Sequence, residues 1–438
     1  MGTTASIQKY RGKKLLMLGS NTLSCEGIRY AKQHGAYTIA ADYLPIEKSP
    51  AKQIADEALL ISTADTDALI QYCRREKIDG VFAGISEFNL IQAQKLSEAL
   101  NLRFYFSAGQ WNLIERKDCF KALCTKYGVK TPRQWFTGSV QDYAQFDRSS
   151  LRFPLIVKPV DASASQGITI CQNSSELEGA VLVAFDASAS GRIIIEAFVT
   201  GHEFTAHYTI CNGKAALACV DNRYPVALHK GSVTTIPIAR VYPALFQAQF
   251  LETINPQLIA LCEGLGLKNA ILFVQGLYND QTGEFYIFEA GLRSAAEAPC
   301  RFLESITGQN HYFMVLDDIL LGSTDYRLDL EDPDLDGKCC AIVSFASAGG
   351  VVTDIQGVET VRHTIPEILQ IESRYPIGST VPDGDTLRQI MLRFVVVADS
   401  RARLVEIVKE IGSTVHAVDQ YGKQMLVGME PERVFSLD

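Results

Sequence analysis

The chain has 438 residues, 47% of them hydrophobic and 21% charged, a balance that supports two to four folded domains with sizeable cores. Its formal net charge of −9 argues against nucleic-acid binding as its main business. It contains no run of 18 apolar residues to span a membrane, and the stretch from Met1 to Lys14 lacks the apolar core of a secretory signal.

The 11 cysteines form no C-x-x-C pair and the 7 histidines no H-x-x-x-H pair. Buried thiols in a reducing cytoplasm, and no zinc site, are therefore expected. Met1-Gly2-Thr3-Thr4-Ala5-Ser6 fits the loose myristoylation pattern, which is too short to carry an expectation of a lipid anchor.

Lys13–Gly19, Ala36–Asp42, Ala58–Ser62 and Gly80–Ala83 read as strands, alternating with helical segments at Cys25–His34, Thr66–Lys77 and Phe88–Leu100. Strands alternating with helices imply a doubly wound parallel α/β domain, placed at residues 1–115. Its first turn, Gly19-Ser20-Asn21-Thr22-Leu23-Ser24, is not G-x-G-x-x-G, so a dinucleotide site with Asp42 on the ribose is disfavoured. Glu87 lies at the end of the fourth strand, where open α/β sheets bind ligands, and suits either a substrate amine or a helix cap.

A helix over Asp118–Tyr127 is stopped by Gly128. Pro154–Pro159 is a strand ending in Lys158, followed by the small-residue loop Asp161–Gly167 and a return strand Ile168–Cys171. Backbone amides and hydroxyls in such a loop, beside a lysine, suit phosphate; a plain hairpin with a serine-rich tip has the same pattern. Strands at Ile193–Glu196 and Glu203–Ile210 flank Gly201, and the apolar strand before Ala197–Val199 offers edge amides to an adenine ring. Phe250–Leu265 reads as one amphipathic helix.

Leu272–Tyr278 and Glu284–Glu289 form a hairpin closed by the turn formers Asn279–Gly283. Strand alternation puts Glu289 on the face of Phe285 and Ile287, with Gly291 and Arg293 following. A carboxylate there suits Mg²⁺ and an arginine suits phosphate. The acidic, proline-containing run Asp329–Gly337 reads as a linker into a last domain at 338–438, with strands near Ala341–Ala346 and Arg393–Val397 and a helix over Arg401–Gly412.

Lys117, Lys158 with its Ser/Gly loop, Glu196, Glu203, Gln275, Glu289 and Arg293 occur in an order that resembles the ATP-grasp superfamily. Within it the chain looks most like the branch of biotin carboxylase, the carbamoyl phosphate synthetase large chain and the L-amino acid ligases, over nearly its whole length. The resemblance implies α/β and α+β architecture: an ATP-grasp fold at 116–330, with a lid at about 131–198, between the N-terminal α/β domain and a C-terminal α+β domain.

It also implies residue roles. Lys117 and Lys158 would hold ATP phosphates under a loop containing Ser163, Ser165 and Gly167. Glu196 and the backbone of Ala197 to Val199 would meet adenine, Glu203 the ribose, and His229 the nucleotide. Gln275 and Glu289 would ligate Mg²⁺, with Mn²⁺ as a substitute, and Arg293 would steady the transferred phosphoryl group or the substrate carboxylate. Arg240 and Arg301 are further candidates for a substrate carboxylate.

The chain departs from the family's E-x-N-x-R at Glu289-Ala290-Gly291-Leu292-Arg293, where Gly291 has no side chain to ligate a metal. A second metal is then held weakly, by water, or with Glu297, or the site is partly degenerate. The implied activity is a carboxylate–amine ligase working through an acyl phosphate. A bicarbonate-using carboxylase and a nucleotide-binding module without ligase chemistry are the alternatives. A small-molecule acid and amine, no nucleic acid, no membrane and a homodimer are the implied partners.

Overall fold

The computed structural model describes residues 8–162, 166–226, 236–383 and 387–427. The N-terminal sheet contains β1 (Lys14–Leu18), β2 (Tyr37–Asp42), β3 (Glu57–Leu60) and β4 (Gly80–Ala83), all parallel, in the order β3-β2-β1-β4. β1 and β4 are almost wholly buried, as expected for parallel strands covered by helices on both faces. The connecting helices start where the sequence supplies caps: Asn21, Asp65 and Ser86 each accept an amide from their first turn. The cap before the helix Glu87–Ala99 is thus Ser86, which leaves the Glu87 carboxylate for another partner. Asp42 is locked by the Lys52 ammonium at 2.9 Å and the Ser49 hydroxyl at 2.6 Å, so it does not serve a ribose.

A second sheet is formed by β5 (Gln134–Ser139), β6 (Leu155–Pro159), β7 (Thr169–Cys171) and β8 (Arg192–Ala197), antiparallel in the order β5-β8-β6-β7. It packs against the helix Ser174–Ala187 around its own core of Leu155, Val157, Leu177, Val181, Ile193 and Ile195. The strand expected to offer edge amides, β8, lies inside this sheet with partners on both sides. Even beyond the ladder, the Ala197 and Phe198 amides donate to Arg133 O and Pro154 O.

The following strands are β9 (His202–Cys211), β10 (Lys214–Val220), β11 (Asn222–Val226), β12 (Ile236–Tyr242), β13 (Ala270–Asn279) and β14 (Glu284–Gly291). Four of them make an antiparallel sheet in the order β10-β9-β13-β14. One face buries Phe204, Tyr208, Leu272, Val274, Phe285 and Ile287 in a core continuous with that of the N-terminal sheet. Tyr312, on the helix His311–Leu321, joins the two by donating to Leu23 O at 3.0 Å. The helix expected over Phe250–Leu265 is two, Gln247–Thr253 and Asn255–Gly264, because Pro256 cannot continue the first.

β15 (Cys339–Ser347), β16 (Gly350–Gln356), β17 (Ile368–Ser373), β18 (Thr380–Val381), β19 (Ile390–Ala398), β20 (His416–Asp419) and β21 (Leu426–Val427) complete the chain. The large sheet here runs β11-β12-β15-β19-β17, so two strands from before residue 243 sit beside strands from after residue 338. The helix Arg401–Thr414 covers its far face through Leu404, Ile407, Val408 and Ile411. Within the acidic run 329–337, Leu335 is fully buried and anchors the crossing.

Candidate active site

Lys158 emerges from the buried strand β6 beside Glu196 of β8, and the two side chains form a close ion pair. The helix Lys117–Lys126 adds Lys121, whose ammonium lies 2.7 Å from the other Glu196 oxygen and donates to Pro132 O at 3.0 Å. All three side chains are almost fully buried. Burial alone would raise the Glu196 pKa; Lys158 and Lys121 outweigh it and hold the carboxyl below its ordinary range. Glu196 is therefore the counter-ion of two lysines, which corrects its expected place against adenine. Lys117 sits one helical turn before Lys121 and donates to Ala162 O at 2.9 Å.

The second half of the site depends on one extra residue. Gln275 pairs with Glu289 and Gly276 with Ile287, which leaves Phe288 without a partner on β13. Such a bulge shifts the alternation of side chains beyond it. Phe285 and Ile287 enter the core, Glu289 turns to the opposite face, and Ala290 takes the core position. The expectation that Glu289 shares a face with Phe285 and Ile287 is thereby corrected. Glu289 stands half-buried beside half-buried Gln275, with Phe273 next along β13 and Thr205 and His207 across on β9. Two oxygen donors side by side on an open face fit a divalent cation.

Residues 115–117 draw the two halves together. Glu115 Oε1 accepts the Leu292 amide at 3.4 Å, at the end of β14, while the Lys117 amide donates to Val160 O at 3.1 Å, at the end of β6. Beyond Leu292, Arg293 donates to Glu87 Oε1 at 2.6 Å and lies 5.0 Å over the Phe273 ring. Burial, and then the Glu87 charge, push the Glu115 carboxyl up to about 8.

Farther along this face, Arg240 donates to Thr205 Oγ1 and Asp221 Oδ2, each at 2.7 Å, and lies 3.0 Å from Glu297. Burial would raise the Glu297 carboxyl, but Arg240 and Arg393 bring it down to about 2. His207, buried beside this group, has no hydrogen-bond partner for Nε2 among the described residues, and burial pushes its imidazole down to about 3. Arg301 ties three parts of the chain: it holds Glu26 of the first domain at 2.9 Å and Glu372 of the last sheet at 2.7 Å.

The D-ala D-ala ligase C-terminus family matches residues 125–224, from the end of the Lys117 helix into β11. A formate-dependent phosphoribosylglycinamide formyltransferase of Bacillus subtilis is 25% identical over 43% of this chain and 49% of its own length. The chain spans about half the length of the curated relatives it matches. An L-amino acid ligase from Bacillus licheniformis superposes with a TM-score of 0.76 at 18% identity, over 94% of this chain and 99% of the other. The chain has the ATP-grasp fold. The biotin carboxylase domain of a Hydrogenobacter thermophilus 2-oxoglutarate carboxylase, a dimer solved with ADP, its magnesium salt and bicarbonate, gives a TM-score of 0.74 at 15% identity, over 94% and 91% of the two chains.

On this ATP-grasp frame, Lys158 meets Glu196, Gln275 meets Glu289, and Arg293 meets Glu87. Glu203 is ion-paired with Arg223 on β11. Gly167 has a φ of +70°, and a Cβ there would approach the Ala187 Cβ to 2.5 Å, so glycine is required. Ser163, Ser165 and His229 lie outside the described residues, as does the myristoylation pattern. Sequence reasoning missed Lys121, Glu115, Phe273, Asp221, His207 and Arg393. Only Lys121 had a local signal, its four-residue spacing from Lys117 on one helix.

Proposed function

We propose that the chain is an ATP- and Mg²⁺-dependent ligase that joins a carboxylic acid to an amine and releases ADP and phosphate. The observation that carries this reading is the bulge at Phe288. It turns Glu289 out of the core beside Gln275, on the strand whose end is tied through residues 115–117 to the end of the lysine-bearing strand β6. The relatives' names, a formate-dependent formyltransferase and an L-amino acid ligase, support the class without naming this chain's acid or amine.

Lys117 and Lys158 hold the nucleotide phosphates in this reading, and Gly167 keeps its expected place with them. The adenine ring meets backbone near Ala197 to Val199 other than the Ala197 and Phe198 amides, which are already engaged, and Glu203 meets the ribose; Ser163, Ser165 and His229 keep their nucleotide roles as part of the proposal. Gln275 and Glu289 hold Mg²⁺, which Mn²⁺ replaces, and which when bound neutralises phosphate charge. Arg293, fixed by Glu87 and the Phe273 ring, points its remaining donors at the transferred group.

The acid's oxygen attacks the γ-phosphorus of ATP, and the bond to ADP breaks. The amine's lone pair then attacks the acyl carbon of the resulting acyl phosphate, the carbon–oxygen bond to phosphate breaks, and the proton lost from the amine nitrogen leaves with the departing phosphate. The self-contained core of the β5–β8 sheet suits a lid that keeps water from the acyl phosphate. Glu87 is the candidate for the amine; Arg240, Arg293 and Nη1 of Arg301, which has no hydrogen-bond partner among the described residues, are the candidates for the acid. Small-molecule substrates without nucleic acid, a cytoplasmic setting and a homodimer complete the proposal. It accords with the net charge of −9 and, among the described residues, with no helix long and apolar enough to cross a membrane.

Hydroxylamine trapping tests this directly. With ATP, Mg²⁺ and pooled carboxylic acids, hydroxamate that depends on one acid and on ATP is expected, and Lys158→Ala and Glu289→Ala should abolish it. Full activity in both variants would overturn the reading.

A further inference from the structure

Resting on that reading of the nucleotide site, we propose that it takes a single divalent cation, held by Gln275 and Glu289, because the Phe273 ring fills the place a second side-chain ligand would need.

Position 291 is the place in question. Gly291 lies directly across from Phe273 in the β13–β14 ladder, on the face that carries Gln275 and Glu289. A Cβ at 291 would stand 2.4 Å from Phe273 Cζ and 2.5 Å from Cε1. These distances are far inside van der Waals contact, so no ligand-bearing side chain enters while the ring stays. The ring has reason to stay. It is 6% exposed, the Arg293 guanidinium lies over it at 5.0 Å, and the His207 ring is centred 6.5 Å away. Swinging it aside would remove the platform of Arg293, whose other restraints are the ion pair with Glu87 and a hydrogen bond to Ser294 O at 3.0 Å. The pair Phe273 and Gly291 thus replaces a metal ligand by an aromatic support for a cationic side chain, which makes Phe273 a positioning residue.

The supply of anionic oxygens points the same way. Two divalent ions a few ångströms apart repel unless carboxylates or phosphates lie between them. Glu87 is paired with Arg293, Glu297 with Arg240, and Glu115 receives the Leu292 amide. Among the described residues Glu289 is left as the carboxylate ligand of the open face. Among the described residues no three His, Cys, Asp or Glu side chains gather to hold a metal ion. A cation here takes its remaining oxygens from phosphate and water.

The test counts cations rather than turnover. The full chain is mixed with a non-hydrolysable ATP analogue and titrated with Mn²⁺, free Mn²⁺ is read by electron paramagnetic resonance, and nucleotide binding is measured separately by calorimetry. One Mn²⁺ per bound nucleotide is expected. Two would overturn the inference while leaving the nucleotide site intact, and no nucleotide binding would overturn the proposed function and the inference with it. The double variant Phe273→Ala/Gly291→Asn opens the blocked place. A second Mn²⁺ in that variant supports the assignment to Phe273, and a single Mn²⁺ with nucleotide bound overturns it. If the double variant does not fold, the count on the parent chain decides.

Discussion

Glu196→Gln tests how the lysine-bearing half of the site is built. Glu196 is 1% exposed, Lys121 5% and Lys158 4%, so the substitution strands two ammonium groups away from water. Breaking a buried ion pair by removing one partner costs about 3–5 kcal/mol. Glutamine keeps an acceptor oxygen, which puts the expected loss near the lower end, about 3 kcal/mol. At roughly 2–4 °C per kcal/mol for a unit of this size, the thermal midpoint should fall by about 6–12 °C. Lys121→Met leaves Glu196 paired with Lys158 and should cost less. Because the lysines lower the Glu196 pKa, its contribution is complete above the ordinary carboxylate range and is lost as pH falls through the lowered value. The gap between parent and Glu196→Gln should accordingly be widest near neutral pH and close in strong acid. Calorimetric unfolding of the three proteins across pH is the assay. A Glu196→Gln midpoint within about 1 °C of the parent, or a larger drop in Lys121→Met, would refute the ion-pair account; the scale is that of the same midpoint conversion.

Gly291→Ala forces the Phe273 ring to shift, since the added Cβ would sit 2.4 Å from it, and should cost about 1–3 kcal/mol; Phe273→Leu in the same chain should recover part of that loss in urea unfolding. Arg240→Met leaves Asp221 and Glu297 buried without their shared counter-ion and should cost about 3–5 kcal/mol; Arg240→Lys should rescue little, because an ammonium does not reproduce the fork that reaches both carboxylates and Thr205. The Glu115 carboxyl is pushed up to about 8, so the stability of its neutral form is complete below the ordinary carboxylate value and lost as pH rises through about 8. In metal-free protein the midpoint of the parent should therefore fall relative to Glu115→Gln between about pH 5 and pH 9, and a constant difference over that range would count against the assignment.

The N-terminal sheet and the β13–β14 hairpin were legible because their signals are local: apolar strands alternating with capped helices, and turn formers at 279–283. The break at Pro256 was equally local, and the helical periodicity on both sides of it obscured the kink. What was not legible depends on contacts distant in sequence. Lys121 is visible as a helix neighbour of Lys117, yet its meaning comes from Glu196, which reaches it only when β8 lies between β5 and β6. β11 and β12 pair with the last sheet because their apolar faces pack there, a choice no run of residues near 222–242 encodes. The orientation of Glu289 lies between these cases. Phe285 and Ile287 keep a period of two and Ala290 breaks it by one residue, but the apolar Phe288 hides the break. Gly291 shows why a missing ligand is a weak sign of a degenerate site. The sequence records only an absent side chain, whereas the ladder puts Phe273 across from it and Arg293 on the ring. The loss at one position and the aromatic at the other form one packing unit, which in the proposed reading exchanges a metal ligand for an arginine support.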